Sequence, residues 1–171
     1  EFGLRRDFYE DRADALRMEK PLAAPAPRVM LQVPYFRQTL DFTCGPAALM
    51  MAMATLDPTL TANRALELKL WRESTTIFMT AGHGGCGPYG LALAAHRRGF
   101  DTELYVTHED ELFLDSVRSA EKKEVIRLVE AEFRREIKAA GIPVHHRPLG
   151  ASGLEAAVKS GGVPVVLIST Y

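Results

Sequence analysis

From Ala47 to Ala54 the chain is apolar at every position (Ala47, Ala48, Leu49, Met50, Met51, Ala52, Met53, Ala54). Gly45-Pro46 predicts the opening of a helix there, because proline in a first turn gives up an N–H that has no intrahelical acceptor anyway. Asp57-Pro58 ends it near Leu56. A helix apolar on all sides is expected in the middle of a domain. Two further helices are predicted over residues 62–72 and 88–98, the second closed by Gly99. Residues 119–140 carry a different pattern: mostly charged, with a single apolar stripe of Ile126, Val129, Phe133 and Ile137 at helical spacing. Gly141 stops that helix, and a short one is predicted over 153–160.

The strand pattern is weaker. Residues 2–8 and 13–18 read as two short strands around Glu10-Asp11-Arg12. Residues 29–33, 101–106 and 143–147 read as single short strands. Residues 163–169 (with Val163, Val165, Val166, Leu167 and Ile168) have the nearly continuous apolar composition of a strand buried on both faces. Ala23-Ala24-Pro25-Ala26-Pro27 cannot sustain a hydrogen-bonded ladder and reads as a semi-rigid linker. The expected organisation is a segment over 1–22, a linker over 23–27 and a domain over 28–171. Its class is α+β, helix-rich first, with strands arriving late.

Composition narrows the partners. Formal net charge is −1, from 21 Lys and Arg against 22 Asp and Glu, which gives no electrostatic reason to expect nucleic acid or an anionic membrane. No apolar run reaches the length of a spanning helix, and the charged start (Arg5, Arg6, Asp7) offers no signal-peptide core. A cytoplasmic protein is expected. The chain does not begin with methionine, which suggests a piece of something longer. Its two cysteines, Cys44 and Cys86, are each followed by Gly-Pro. In a chain of this type they are expected to be free.

Chemistry concentrates at Cys44. A cysteine at the mouth of a helix lies in the positive end of the helix dipole, which favours thiolate over thiol. Unpaired N–H groups at the same place can receive a developing oxyanion. Gln38 stands six positions earlier, within reach of that spot if the intervening residues fold back as a loop. Free cysteines more often behave as small buried hydrophobes, so the helix start alone does not establish a nucleophile.

The surrounding residues resemble a family. Gln38, then Cys44-Gly45-Pro46-Ala47 and an Ala/Met-rich helix, is similar to the papain-like cysteine peptidases that trim double-glycine leaders from bacteriocins. The likeness is narrower still to bacterial relatives fused behind an acetyltransferase domain. Val33-Pro34-Tyr35-Phe36-Arg37 resembles the family's approach to the site, and Gly82-His83-Gly84-Gly85-Cys86-Gly87-Pro88-Tyr89-Gly90-Leu91 its second helix opening. Gly162-Val163-Pro164-Val165-Val166-Leu167-Ile168 resembles the strand that precedes the catalytic histidine. The resemblance implies a papain-like fold and thiol acyl transfer on a peptide substrate. Cys44 would be the nucleophile, with Gln38 helping to hold the oxyanion. It also implies that the base histidine and its Asp or Asn partner follow Tyr171, since none of His83, His96, His108, His145 or His146 falls where that histidine belongs. On this expectation the chain is a truncated peptidase without measurable cleavage of leader peptides. The alternative is a non-catalytic module that binds a peptide in the same groove. An open sheet edge at 163–169 would favour self-association.

Residues 1–22 resemble the closing strands of a GNAT-type N-acetyltransferase. The glycine-rich loop that would hold coenzyme A is missing, so no acetyl transfer, and no cofactor, is expected. No metal is expected either: His83 and Cys86 are two ligands, too few for a site, and His145 and His146 alternate in a strand and point to opposite faces. Trp71 is expected to anchor its helix in the core. The charges of 119–140, with pairs such as Glu130–Arg134, read as a solvated face.

Overall fold

A computed structural model describes residues 2–5, 15–18, 30–76, 84–107, 114 and 117–167. The Glu10-Asp11-Arg12 turn, the linker over 23–27, His83, His108 and residues 168–171 lie outside these. The chain divides into two compact units, Glu1–Met30 and Leu31–Tyr171. In the first, β1 (Phe2–Arg5) pairs antiparallel with β2 (Ala15–Met18), in a register that sets Phe2 opposite Met18 and Arg5 opposite Ala15.

The second unit is helix-rich, with one small sheet among its described residues. Its elements run α1 (Cys44–Leu56), α2 (Arg64–Ser74), α3 (Pro88–His96), β3 (Leu104–Tyr105), α4 (Ala120–Ala139), β4 (Val144–His145) and α5 (Ala151–Lys159). Local chemistry sets most of the boundaries. The Asn63 side chain caps α2 by accepting from the Leu66 N–H at 2.9 Å, which starts that helix two residues later than its apolar pattern suggests. Ser119 caps α4 through the Lys122 N–H, and Glu121 and Lys138 complement the dipole at its two ends. Gly99 and Gly141 take φ values of 84° and 68° after α3 and α4, a backbone region that favours glycine.

β3 and β4 are parallel, with Leu104 opposite Val144 and Tyr105 opposite His145. α4 forms the crossover between them, as a parallel pair requires. Two other predicted strands are corrected. Residues 30–33 and 163–167 form neither strand nor helix. Met30, Val33, Val165, Val166 and Leu167 are exposed, Leu167 at 70%. An apolar composition marks a segment that can pair, but only a neighbouring strand makes it one, and Pro34 and Pro164 each withhold a donor.

Among the described residues the core has two parts that share one helix. Tyr89, Ala92 and Leu93 of α3 pack with Phe133 and Ile137 of α4, Leu104 of β3 and Ile142. Ala94 and Ala95, further along α3, pack instead with Leu49, Met50 and Met53 of α1 and Leu70 of α2. The central helix is therefore α3 rather than α1, whose Ala48, Met51 and Ala54 are only half-buried and whose Leu56 is exposed. Small side chains decide this. With glycine and alanine at four of its nine positions (Gly90, Ala92, Ala94, Ala95), α3 lets a layer approach on either side. Full burial of Met50, Met53 and Leu70 each contributes about 1.5–3 kcal/mol.

The approach is tightest where α3 meets the end of α2. A Cβ on Gly90 would lie 2.5 Å from the Ser74 carbonyl oxygen and 2.7 Å from its Cα. The Ser74 hydroxyl donates to the Gly90 carbonyl at 3.1 Å. At the other end of α3, Arg98 donates to both carboxylate oxygens of Glu73, at 2.8 and 3.2 Å. Gly90→Ala is expected to destabilise the protein by about 1–3 kcal/mol through overpacking against backbone that cannot yield. Helix propensity alone would make the same change stabilising by about 1 kcal/mol, so the sign of the shift in a urea unfolding midpoint decides between the two.

Candidate active site

Cys44 is the first residue of α1 and is exposed. The Thr43 N–H donates to the Leu40 carbonyl at 3.2 Å, and the Ala47 N–H to the Thr43 carbonyl at 2.9 Å. Between these two donors lie the N–H groups of Cys44 and Gly45, for which helix geometry provides no acceptor, and Pro46, which has none to offer. The arrangement presents a thiol beside two backbone donors.

The loop leading into Cys44 is held from inside. The Leu40 carbonyl accepts from the Gln38 side-chain amide at 2.9 Å, and the Thr43 hydroxyl, whose one proton it shares with the Glu67 carboxylate, lies 2.8 Å from it. Gln38 and Cys44 thus flank a turn over residues 40–43, with the Gln38 amide engaged by that turn. The residue that fixes the loop is Glu67 of α2, which the sequence reading missed. It is fully buried. Its carboxylate accepts from the Thr39 N–H at 2.8 Å, from the Thr39 hydroxyl at 2.6 Å and from the Thr43 hydroxyl. A buried carboxylate is tolerable only with such compensation. Burial opposes the charge, yet the hydrogen bonds from Thr39 and Thr43, with help from Arg64, outweigh it and hold Glu67 below the ordinary glutamate value of 4.5. A glutamate at an inward position of an amphipathic helix was the available signal.

Cys86 lies next to the same place. A Cβ on Gly45 would stand 3.4 Å from Cys86 Cβ and 3.1 Å from Leu91 Cδ1, so the two Cys-Gly-Pro openings meet. Cys86 is half-buried, bridged through its backbone to Thr75, and its thiol faces the Trp71 carbonyl at 3.9 Å. Trp71 itself is half-buried rather than an anchor in the core. Its Nε1 donates to the Gly84 carbonyl at 2.8 Å, and its ring lies 5.0 Å from that of Phe42. One side chain thereby ties the turn before Cys86 to the loop before Cys44. Burial first, and the neighbouring Cys44 second, push the Cys86 thiol up to about 12.

Two expectations about charge are settled by the packing. Glu130 is not on a solvated face: it is buried, paired with Arg134 at 3.5 Å, with Oε2 3.7 Å from where a Cβ on Gly87 would stand. Gly87 is the N-cap of α3, an end where negative charge is stabilised. His145 and His146 separate as expected. His145 stacks on Tyr105 at 4.5 Å and faces Glu103 at 3.7 Å, whereas His146 is exposed. Among the described residues no group of His, Cys, Asp and Glu could hold a metal ion, and no helix is long and apolar enough to cross a membrane.

A family model described as Peptidase_C39 like matches residues 33–171. The chain belongs to this Peptidase_C39-like family. No curated protein and no solved structure matches it. The match covers Gln38, Cys44, Glu67 and Cys86 together, so the site just described lies within the peptidase-like domain.

Two outcomes are expected of this Peptidase_C39-like site. Cys44, exposed, should alkylate with iodoacetamide well ahead of Cys86, whose thiol is both covered and hard to ionise; equal labelling by peptide mapping contradicts the geometry. Glu67→Gln should weaken folding near neutral pH. Because the folded-state pKa of Glu67 is depressed, its contribution is present above the ordinary value of 4.5 and lost as pH falls through the lower folded value. The stability gap between wild type and Glu67→Gln should therefore narrow below about pH 4.5, and a gap independent of pH would show that the charge of Glu67 plays no part.

Proposed function

We propose that this peptidase-like domain cleaves a peptide or amide bond by thiol acyl transfer, with Cys44 as nucleophile. The observation that carries the reading is the exposed Cys44 thiol at the first position of α1, beside the N–H groups of Cys44 and Gly45. Attack on a carbonyl carbon would place the developing oxyanion toward those donors. Gln38 would add its amide once substrate displaces the contact with Leu40. The likeness to double-glycine leader peptidases supports a peptide substrate, and a papain-like arrangement of the helix carrying the nucleophile.

Acyl transfer needs a proton acceptor for Cys44. His96 ends α3, about 12 Å along the helix from its start beside Cys86, at 1.5 Å per residue. His145 is engaged with Tyr105 and Glu103. Neither is an obvious base, which makes a test independent of turnover the appropriate one. The likeness of residues 1–22 to the closing strands of an acetyltransferase belongs to the same proposal, supported by the antiparallel pairing of β1 with β2.

A second reading is a non-catalytic module that binds peptide in the same groove. The contact of the Gln38 amide with its own loop favours it. A peptidyl electrophile ending in Gly-Gly separates the two. Under the catalytic reading it should modify Cys44 many times faster than it modifies the same thiol in the urea-unfolded chain, and Cys44→Ala should abolish the adduct. Modification of Cys44 no faster than in the unfolded chain, with retained affinity for the peptide, would favour the binding module and overturn the catalytic reading.

A further inference from the structure

The packing of α3 against α1 places Cys44 and Cys86 in one neighbourhood, although they are far apart in the sequence. A Cβ on Gly45 would lie 3.4 Å from Cys86 Cβ, so the residue directly after Cys44 touches Cys86. Consecutive Cα atoms are about 3.8 Å apart, which leaves Cys44 one residue step from that contact. A disulfide needs Cα atoms about 4.4–6.8 Å apart, so linking the pair requires the first turn of α1 to bring Cys44 to the place that Gly45 holds against Cys86. Both thiols are free. They are also unlike one another: Cys44 is exposed, whereas Cys86 is half-buried and held by its bridge to Thr75 and its contact with the Trp71 carbonyl. An exposed thiol beside a sheltered one is the arrangement of an oxidisable cysteine with a resolving partner.

We propose that Cys44 and Cys86 form a reversible oxidation switch, in which hydrogen peroxide oxidises Cys44 and Cys86 resolves it into an intrachain disulfide. In the first step the Cys44 thiolate sulfur attacks one peroxide oxygen. The O–O bond breaks, hydroxide leaves, and Cys44 becomes a sulfenic acid, so sulfur loses the two electrons that peroxide gains. In the second step the Cys86 sulfur attacks the Cys44 sulfur. The S–O bond breaks, an S–S bond forms, and the departing hydroxide leaves as water with the Cys86 proton. Overall, two thiols and one peroxide give one disulfide and two waters. The disulfide withdraws Cys44 from any attack on a carbonyl and shields it from irreversible oxidation. The switch goes beyond the hydrolytic reading and does not depend on it, since no peptide takes part.

The test is a disulfide map of the full chain after treatment with stoichiometric hydrogen peroxide at low protein concentration. A linked Cys44–Cys86 peptide pair is expected, with an intact mass lower by two hydrogen atoms, and dithiothreitol should restore both thiols. In Cys86→Ser, dimedone should trap several-fold more sulfenic acid at Cys44 than in wild type. Sulfinic acid at Cys44 without the linked pair, or disulfides only between chains, would overturn the proposal. Should Cys86→Ser not fold, the wild-type map decides alone. Rapid modification of Cys44 by the peptidyl electrophile without the linked pair would sink the switch and leave the hydrolytic reading in place.

Discussion

The contact between the α3 backbone and the end of α2 is the constraint on which the rest of the unit depends. At Gly90 there is no room for a Cβ against Ser74. That closeness sets α3 deep enough to serve both halves of the core, with Tyr89, Ala92 and Leu93 turned to α4 and Ala94 and Ala95 turned to α1 and α2. The ion pair of Arg98 with Glu73 holds the other end of α3 to the same end of α2. The depth of α3 also decides where its first turn lies, and so brings Cys86 beside Gly45. Packing density and site geometry have one cause here.

The polar interior follows from this arrangement. Glu67 and Glu130 are both buried, and burying a carboxylate is costly unless donors or cations surround it. Glu67 is surrounded by Thr39 and Thr43, and the same hydrogen bonds that satisfy it hold the loop between Gln38 and Cys44. Glu130 has Arg134 and the N-cap of α3. Each acid is thus attached to the start of a helix that opens on Cys-Gly-Pro, Glu67 at α1 and Glu130 at α3. Fixed donors at a helix start are useful to acyl transfer because they need no reorganisation when charge develops.

Helices, and the place of Cys44 at a helix start, were legible in the chain. Their determinants are local: the 3.6-residue stripe of Ile126, Phe133 and Ile137, the caps at Asn63 and Ser119, and the glycines at 99 and 141 act over a few residues. Cys44 and Gln38 could be singled out for the same reason, since the turn between them is closed by its own Leu40 carbonyl. Strands were legible only in part. The patterns at 30–33 and 163–167 are as apolar as those of β3 and β4, but a strand exists only where another chain segment supplies donors and acceptors, and that is a tertiary fact. The same holds for Glu67, Trp71 and Cys86. Their roles rest on contacts made across the sequence, from Glu67 to Thr43, from Trp71 to Gly84 and from Gly45 to Cys86. Local sequence determined which turns and helices form; only the packing of α1, α2 and α3 decided which buried acid, indole and second thiol would surround Cys44, because close packing acts between surfaces whatever their distance along the chain.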